Sequence, residues 1–223
     1  MRSKLLLLGM NYWPLAHLVL VASPWVALDA SPGAKLGVSL ALFFLLPPLL
    51  CRILLALFGE PPRRIPAFSR PFFVWWATYQ LQAVFLRVPM IEELMRIVPG
   101  LYATWLRLWG SRVGRLSFWS PGSRVLDRPF ADIGDEVMVG YDAGFTSHLF
   151  VKDAEGKLEL VFGRAKAGDR SLLGGRSGIL PGSELAPGEM LPADVVLIPY
   201  SVWKDGRRQR DRSPEAGTPA PST

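Results

Sequence analysis

Apolar residues along this chain follow three different rhythms. From 5 to 28 and again from 36 to 58 they are nearly continuous, as LLLLGMNYWPLAHLVLVASPWVAL and LGVSLALFFLLPPLLCRILLALF. Each run has the roughly 20 apolar residues that a helix needs to cross a bilayer. Pro14, Pro24 and the pair Pro47 and Pro48 kink such helices but are tolerated in membranes. The short stretch DASPGAK (29–35) predicts a turn, so 1–60 reads as a transmembrane helical hairpin. A signal peptide is the competing reading. Its apolar core is about 7–15 residues, shorter than this one, and a cut after Ala30 would put Leu28 where a small side chain is needed.

From 61 to 110 the apolar positions become intermittent. The segment 71–88, PFFVWWATYQLQAVFLRV, carries Thr78, Gln80 and Gln82 together with clustered aromatics. That mixture favours an interfacial helix over a third span. In 90–109, Ile91, Leu94, Met95 and Val98 recur at helical spacing, with Glu92 and Glu93 suited to the first turn and a break at Pro99-Gly100. The region 61–110 therefore reads as interfacial amphipathic helices.

The third rhythm has a period of six and fills 111–200. Ile133-Gly134, Val139-Gly140 and Phe145-Thr146 begin consecutive hexads. After an interruption the pattern resumes at Ala167-Gly168, Leu173-Gly174, Ile179-Leu180, Leu185-Ala186 and Leu191-Pro192. An aliphatic residue followed by a small one at this period predicts a solenoid with one short strand per hexad. Stacked coils bury a continuous apolar column that no single coil could bury alone. VGRLSF (113–118) predicts an irregular first coil. The excursion LFVKDAEGKLELVFG (149–163) falls outside the repeat. The remainder, 201–223, is basic at its start and then rich in Pro, Ser and Thr, and it predicts a disordered tail.

Composition sharpens this picture in a few places. Half the residues are hydrophobic, and the excess lies in the first 110. Positive charge flanks the hairpin, with Arg2 and Lys4 before it and Arg63, Arg64 and Arg70 after it. The positive-inside rule then places both outer ends in the cytoplasm, with the repeat domain facing the cytosol at an inner or plasma membrane. The single Cys51 allows no intrachain disulfide. His17, His148 and Cys51 are far apart, so no metal site is expected. No phosphate-loop or dinucleotide fingerprint occurs, and basic charge without a recognition motif argues against nucleic acid. His17 lies inside the first span without an acidic partner, which favours a packing role. His148 is the one histidine outside the spans, and imidazole titrates near neutrality as a general base requires.

The hexads, the histidine closing a coil in TSH (146–148), the excursion after it and the resumed hexads ending in LPADVVL (191–197) resemble the hexapeptide-repeat acyltransferases, in particular their membrane-anchored members. The resemblance covers roughly 111–200. It implies a mainly β fold, a left-handed parallel β-helix preceded here by the helical hairpin and amphipathic helices. It implies acyl transfer from acyl-CoA or acyl carrier protein to a hydroxyl or amine of a lipid or lipid-linked sugar. The thioester is then a donor substrate, with no cofactor bound permanently. A homotrimer is expected, with membrane lipid as a further partner.

His148 would be the general base. Asp142, six residues earlier, is a candidate for its orienting partner, with a neighbouring strand an equal alternative. Thr146 or Ser147 could donate to an oxyanion, and Ser147 is also a possible nucleophile. The resemblance further implies a pantetheine groove along the later coils, between subunits. Gly174 and Gly175 would let an extended ligand approach the backbone, and Arg164, Lys166, Arg170 and Arg176 would meet phosphates. Zinc carbonic anhydrases share the fold but need three histidines at the metal, and the repeat region has only His148. Two non-catalytic readings compete: a β-helix membrane scaffold, and a carrier-protein-binding subunit of a synthesis complex.

Overall fold

The computed structural model describes residues 2–210. Both long apolar runs are helical and break beside their prolines. The first comprises α1 (Arg2–Asn11), α2 (Trp13–Ala22) and α3 (Pro24–Ala27), and the second α4 (Pro32–Phe44) and α5 (Leu46–Phe58). The breaks fall at Tyr12, Ser23 and Leu45, just ahead of residues that lack a backbone N–H. Leu5–Ala27 and Pro32–Phe58 are each long and apolar enough to cross a membrane. The second helix starts at 32 rather than 36. Ser31 accepts a hydrogen bond from the Ala34 N–H at 3.3 Å, and Pro32 suits the first turn. His17 is fully buried, stacked between Trp13 and Phe43, with Nε2 3.1 Å from the Leu42 carbonyl oxygen.

A short strand, β1 (Arg64–Pro66), leads into α6 (Arg70–Leu81), α7 (Ala83–Arg87), α8 (Met90–Ile97) and α9 (Leu101–Trp109). Helix α8 leaves Met90, Leu94 and Ile97 exposed. Trp75 and Thr78 on α6, and Trp105, Leu106 and Trp109 on α9, are buried. These two helices are an inner layer, with α5 packed against both.

From Arg112 the chain winds through short strands. The first six are β2 (Arg112–Val113), β3 (Phe118–Trp119), β4 (Arg124–Val125), β5 (Ala131–Ile133), β6 (Met138–Val139) and β7 (Gly144–Phe145). A hairpin of β8 (His148–Lys152) and β9 (Leu158–Phe162) follows. Then come β10 (Ala165–Ala167), β11 (Leu172–Leu173), β12 (Gly178–Ile179), β13 (Glu184–Leu185), β14 (Met190–Leu191) and β15 (Val196–Leu197). The last two are β16 (Ser201–Lys204) and β17 (Arg207–Arg210).

Strands that share a face pair in parallel and in hexad register: β2-β5-β10-β13-β16, β3-β6-β11-β14 and β4-β7-β12-β15. The result is a three-sided parallel β-solenoid. Its axis is filled by the hexad aliphatics, including Ile133, Val139, Phe145, Leu173, Ile179, Leu185, Leu191 and Leu197, all buried. The small residue after each aliphatic has a steric cause. A Cβ on Gly140 would come within 2.6 Å of the Leu173 carbonyl oxygen in the next coil.

The three faces differ outside. The first carries Arg112, Asp132, Lys166 and Glu184 in register, a ladder of alternating charge. The second carries Phe118, Met138, Leu172 and Met190. The third is nearly bare, with Gly144 and Gly178 between Arg124 and Val196.

Two segments depart from expectation. The excursion 149–163 is mostly the β8-β9 hairpin, and β9 also pairs with β1, burying Ile65 and Leu160. The tail expected to be disordered from 201 instead begins with the β16-β17 hairpin. Its turn is Asp205-Gly206, both at positive φ (55° and 67°), a pair that closes two-residue hairpins. The rest of that tail, 211–223, lies outside the described residues. One apolar cluster runs from Cys51 and Phe85 through Trp105 and Trp109 into the solenoid column as far as Leu197. Hairpin, helical layer and solenoid therefore share a core.

Candidate active site

The site forms where two successive coils each turn the same corner. Phe145 pairs with Val125, so the residues after Val125 underlie those after Phe145. The lower corner is Leu126-Asp127 and a 3-10 turn, Arg128–Phe130; the upper is Thr146-Ser147-His148. Stacking brings the Asp127 carboxylate to the His148 ring, with Nδ1 2.7 Å from Oδ2 and 2.9 Å from Oδ1. The Ser147 N–H donates to Oδ2 at 2.8 Å, the Thr146 hydroxyl at 3.3 Å, and the Trp75 indole N–H to Oδ1 at 3.4 Å. Asp127 is 2% exposed.

Burial by itself would raise the Asp127 carboxyl. The His148 charge and the hydrogen bonds from His148, Ser147 and Trp75 outweigh it and hold the group below the usual carboxylate range. An ionised carboxylate only accepts hydrogen bonds, so His148 Nδ1 carries a proton, and in the neutral ring the lone pair is on Nε2. Nε2 has no hydrogen-bond partner among the described residues. The His148 side chain is 15% exposed.

Helix α6 walls this corner. Trp75 lies 4.7 Å from the His148 ring centroid and Tyr79 packs edge-on at 5.4 Å. Burial, followed by the negative charge of Asp127, pushes the Tyr79 hydroxyl up, so it stays neutral. A second network fixes the chain just after Asp127. The Arg128 backbone N–H donates to Gln82 Oε1 at 2.8 Å, and its guanidinium binds Gln82 and Glu92. Tyr102 donates to the other Glu92 oxygen at 2.8 Å.

Of the residues singled out beforehand, His148 sits at this corner with a carboxylate, but the carboxylate is not Asp142. Six residues are one third of a coil, so Asp142 occupies the previous corner, above Gly122. Ser147 is engaged in holding the corner together. It is 1% exposed, its hydroxyl donates to the Phe130 carbonyl at 2.9 Å and its N–H is given to Asp127. The Thr146 hydroxyl is likewise engaged by Asp127 and the His148 carbonyl.

The phosphate-binding candidates do not converge. Arg164 is near the His148 corner but is paired with Glu60 and with Asp132 at 2.8 Å. Lys166 points outward on β10, 3.9 Å from Glu184. Arg176 is on another corner, paired with Asp194 at 2.5 Å and bonded to the Tyr141 hydroxyl. Arg170 is on a third, at φ 55°, without a carboxylate partner among the described residues. Gly174 and Gly175 are small for packing reasons: a Cβ on either would strike the Leu191–Ala193 backbone or the Tyr141 ring. Among the described residues no cluster of three metal-ligating side chains occurs.

Asp127, Trp75 and Tyr79 were not anticipated. Counting back one coil of three hexads from His148 leads to Phe130, so the extra corner residues before β5 hide Asp127 from the repeat.

No protein-family model and no curated protein matches this chain. Among solved structures it is similar to a hexapeptide-repeat-containing acetyltransferase from Vibrio cholerae, at 16% identity over 54% of this chain and 85% of that one, TM-score 0.35. The Vibrio cholerae O1 biovar eltor structure complexed with acetyl coenzyme A gives 14% identity over 60% and 90%, TM-score 0.37. A maltose O-acetyltransferase from Clostridium difficile gives 15% over 52% and 79%, TM-score 0.27. Likeness of this degree does not bear on what the present chain does.

Proposed function

We propose that this chain is a membrane-anchored acyltransferase with His148 as general base. The observation that carries the reading is the buried Asp127 carboxylate on His148 Nδ1, which leaves Nε2 without a hydrogen-bond partner among the described residues and free to act as the base. An acceptor hydroxyl or amine attacks the carbonyl of a thioester, from acyl-CoA or acyl carrier protein, as Nε2 takes its proton. The tetrahedral intermediate collapses by breaking the C–S bond, and the imidazolium returns the proton to the departing sulfur. Asp127 holds the tautomer and stabilises the transient imidazolium. The acceptor is a lipid or lipid-linked sugar, a choice supported by the two helices of spanning length. The same reading has the hairpin in an inner or plasma membrane, the coils wound left-handed, and the solenoid in the cytosol.

It also has the molecule as a homotrimer. The ladder of Phe118, Met138, Leu172 and Met190 supports this, with Phe118, Met138 and Met190 all about half exposed. A glycine-bare third face offers a second copy a flat surface. Heterologous contacts of this kind close into a ring when the rotation relating successive copies closes.

The test is thioester turnover by purified full-length protein against a panel of lipid acceptors. His148→Ala is expected to keep the fold and to lower turnover by about 10²–10⁴-fold. A folded His148→Ala protein with normal turnover excludes the mechanism, and a wild-type protein without turnover on any donor favours the scaffold or carrier-binding readings.

A further inference from the structure

An apolar groove of about 710 Å³ opens between the hairpin and the helical layer. Its walls include Gly9 and Trp13 from the first apolar run, Leu54 from α5, and Ala77 and Leu81 from α6. Both α1 and α5 pack on α6. A Cβ built on Gly9 would meet nothing within 4 Å, so this glycine leaves free space instead of relieving a clash. Among the described residues no charged side chain lines the groove. Leu6 and Leu57 at its edges are 49% and 71% exposed. An open apolar trough of this size is unfavourable in water but natural at the depth of lipid tails.

The groove shares a helix with the candidate active site. Ala77 and Leu81 of α6 line it, whereas Trp75 and Tyr79 of the same helix touch His148. Trp76 and Gln80 both donate to Asn11 Oδ1 at 3.0 Å and tie α1 to α6 beside the groove. A helix with its side chains is about 10–12 Å across, so the groove and the His148 corner are on the order of one helix width apart.

We propose that the groove holds one hydrocarbon chain of the acceptor lipid, drawn from the bilayer, and thereby presents the headgroup around α6 to His148. The assignment to an acceptor rests on the acyl-transfer reading; the seat for a lipid chain does not. The test uses full-length protein in phosphatidylethanolamine–phosphatidylglycerol vesicles containing a trace of phospholipid with a diazirine in one chain. After irradiation, labelled peptides are mapped by mass spectrometry. Label is expected to concentrate on the segments holding Trp13, Leu54 and Ala77. It should fall about tenfold in Gly9→Leu and in Ala77→Leu, which fill the groove, and stay unchanged in His148→Ala. The two filling variants lie on different helices, so misfolding of one leaves the other as the test. Label spread evenly over outward residues such as Leu15 and Leu18, or undiminished in both filled variants, overturns the proposal. Displacement of the label by long-chain acyl-CoA overturns the assignment to the acceptor. Turnover without groove labelling removes the lipid seat and leaves His148 its role. Groove labelling without turnover supports the seat and removes the acyl-transfer reading.

Discussion

At the scale of single residues, the site depends on a carboxylate kept ionised in a dry place. Asp127 tolerates burial because His148, Ser147 and Trp75 all donate to it. The consequence for stability has a definite sign. A carboxyl held below its unfolded value of about 3.9 adds stability that is complete above that value and is lost as pH falls through the lower, folded value. Wild-type melting temperature should therefore drop as pH falls from about 4, and Asp127→Asn should drop less over the same window. At neutral pH the same variant should retain its fold and lose about 10²-fold or more in turnover, because the imidazolium loses its counter-charge. Thermal scans from acid to neutral pH, with parallel rate measurements, check both expectations.

At the scale of elements, α6 joins the three parts of the molecule. It supplies the wall of the His148 corner, the floor of the apolar groove and the contact with α1 and α5. Trp75 is 1% exposed and packs on Phe72, Tyr79, His148 and Phe150. Trp75→Ala should cost about 3–5 kcal/mol through the cavity it leaves. Trp75→Phe keeps most of the ring packing and loses only the long N–H bond to Asp127, which should cost about 1 kcal/mol. Denaturant unfolding in detergent should order them wild type, Trp75→Phe, Trp75→Ala. An equal loss in both variants would assign the role of Trp75 to its hydrogen bond instead of its bulk.

At the scale of the whole molecule, two surfaces have no partner among the described residues. One is the outside of the hairpin, where Leu15, Val19, Leu49 and Leu57 are exposed. Carbonate washing of membranes should leave the full-length protein in the pellet, and release into the supernatant would refute the anchor. The other is the apolar second face of the solenoid. Met138→Glu combined with Met190→Glu places two charges in that ladder and should convert a trimer to monomers in mass photometry in detergent. A wild-type protein that is monomeric at micromolar concentration refutes the trimer.

Much of the architecture was legible in the sequence because burial repeats locally. Every sixth residue of the solenoid faces the axis, so the hexads announced the column of Ile133, Val139, Phe145 and their successors directly. The hairpin was legible for a similar reason: two runs match the thickness of a bilayer, and prolines mark their breaks. His148 stood out as the lone histidine beyond them.

Partners were a different matter, because a period of six reports which side chains point inward and not which coils lie on one another. The residue beneath His148 depends on the extra corner residues around Arg128–Phe130 and on the pairing of Phe145 with Val125, so only the folded chain selects Asp127 over Asp142. Likewise Arg164, Lys166 and Arg176 look like free cations in sequence. They are ion-paired in the fold because stacking sets carboxylates from distant positions beside them. The descent of α6 over the histidine was also beyond the sequence. Its aromatic residues suit a membrane interface and a buried wall equally, and the choice between them was made by the solenoid corner that the helix covers.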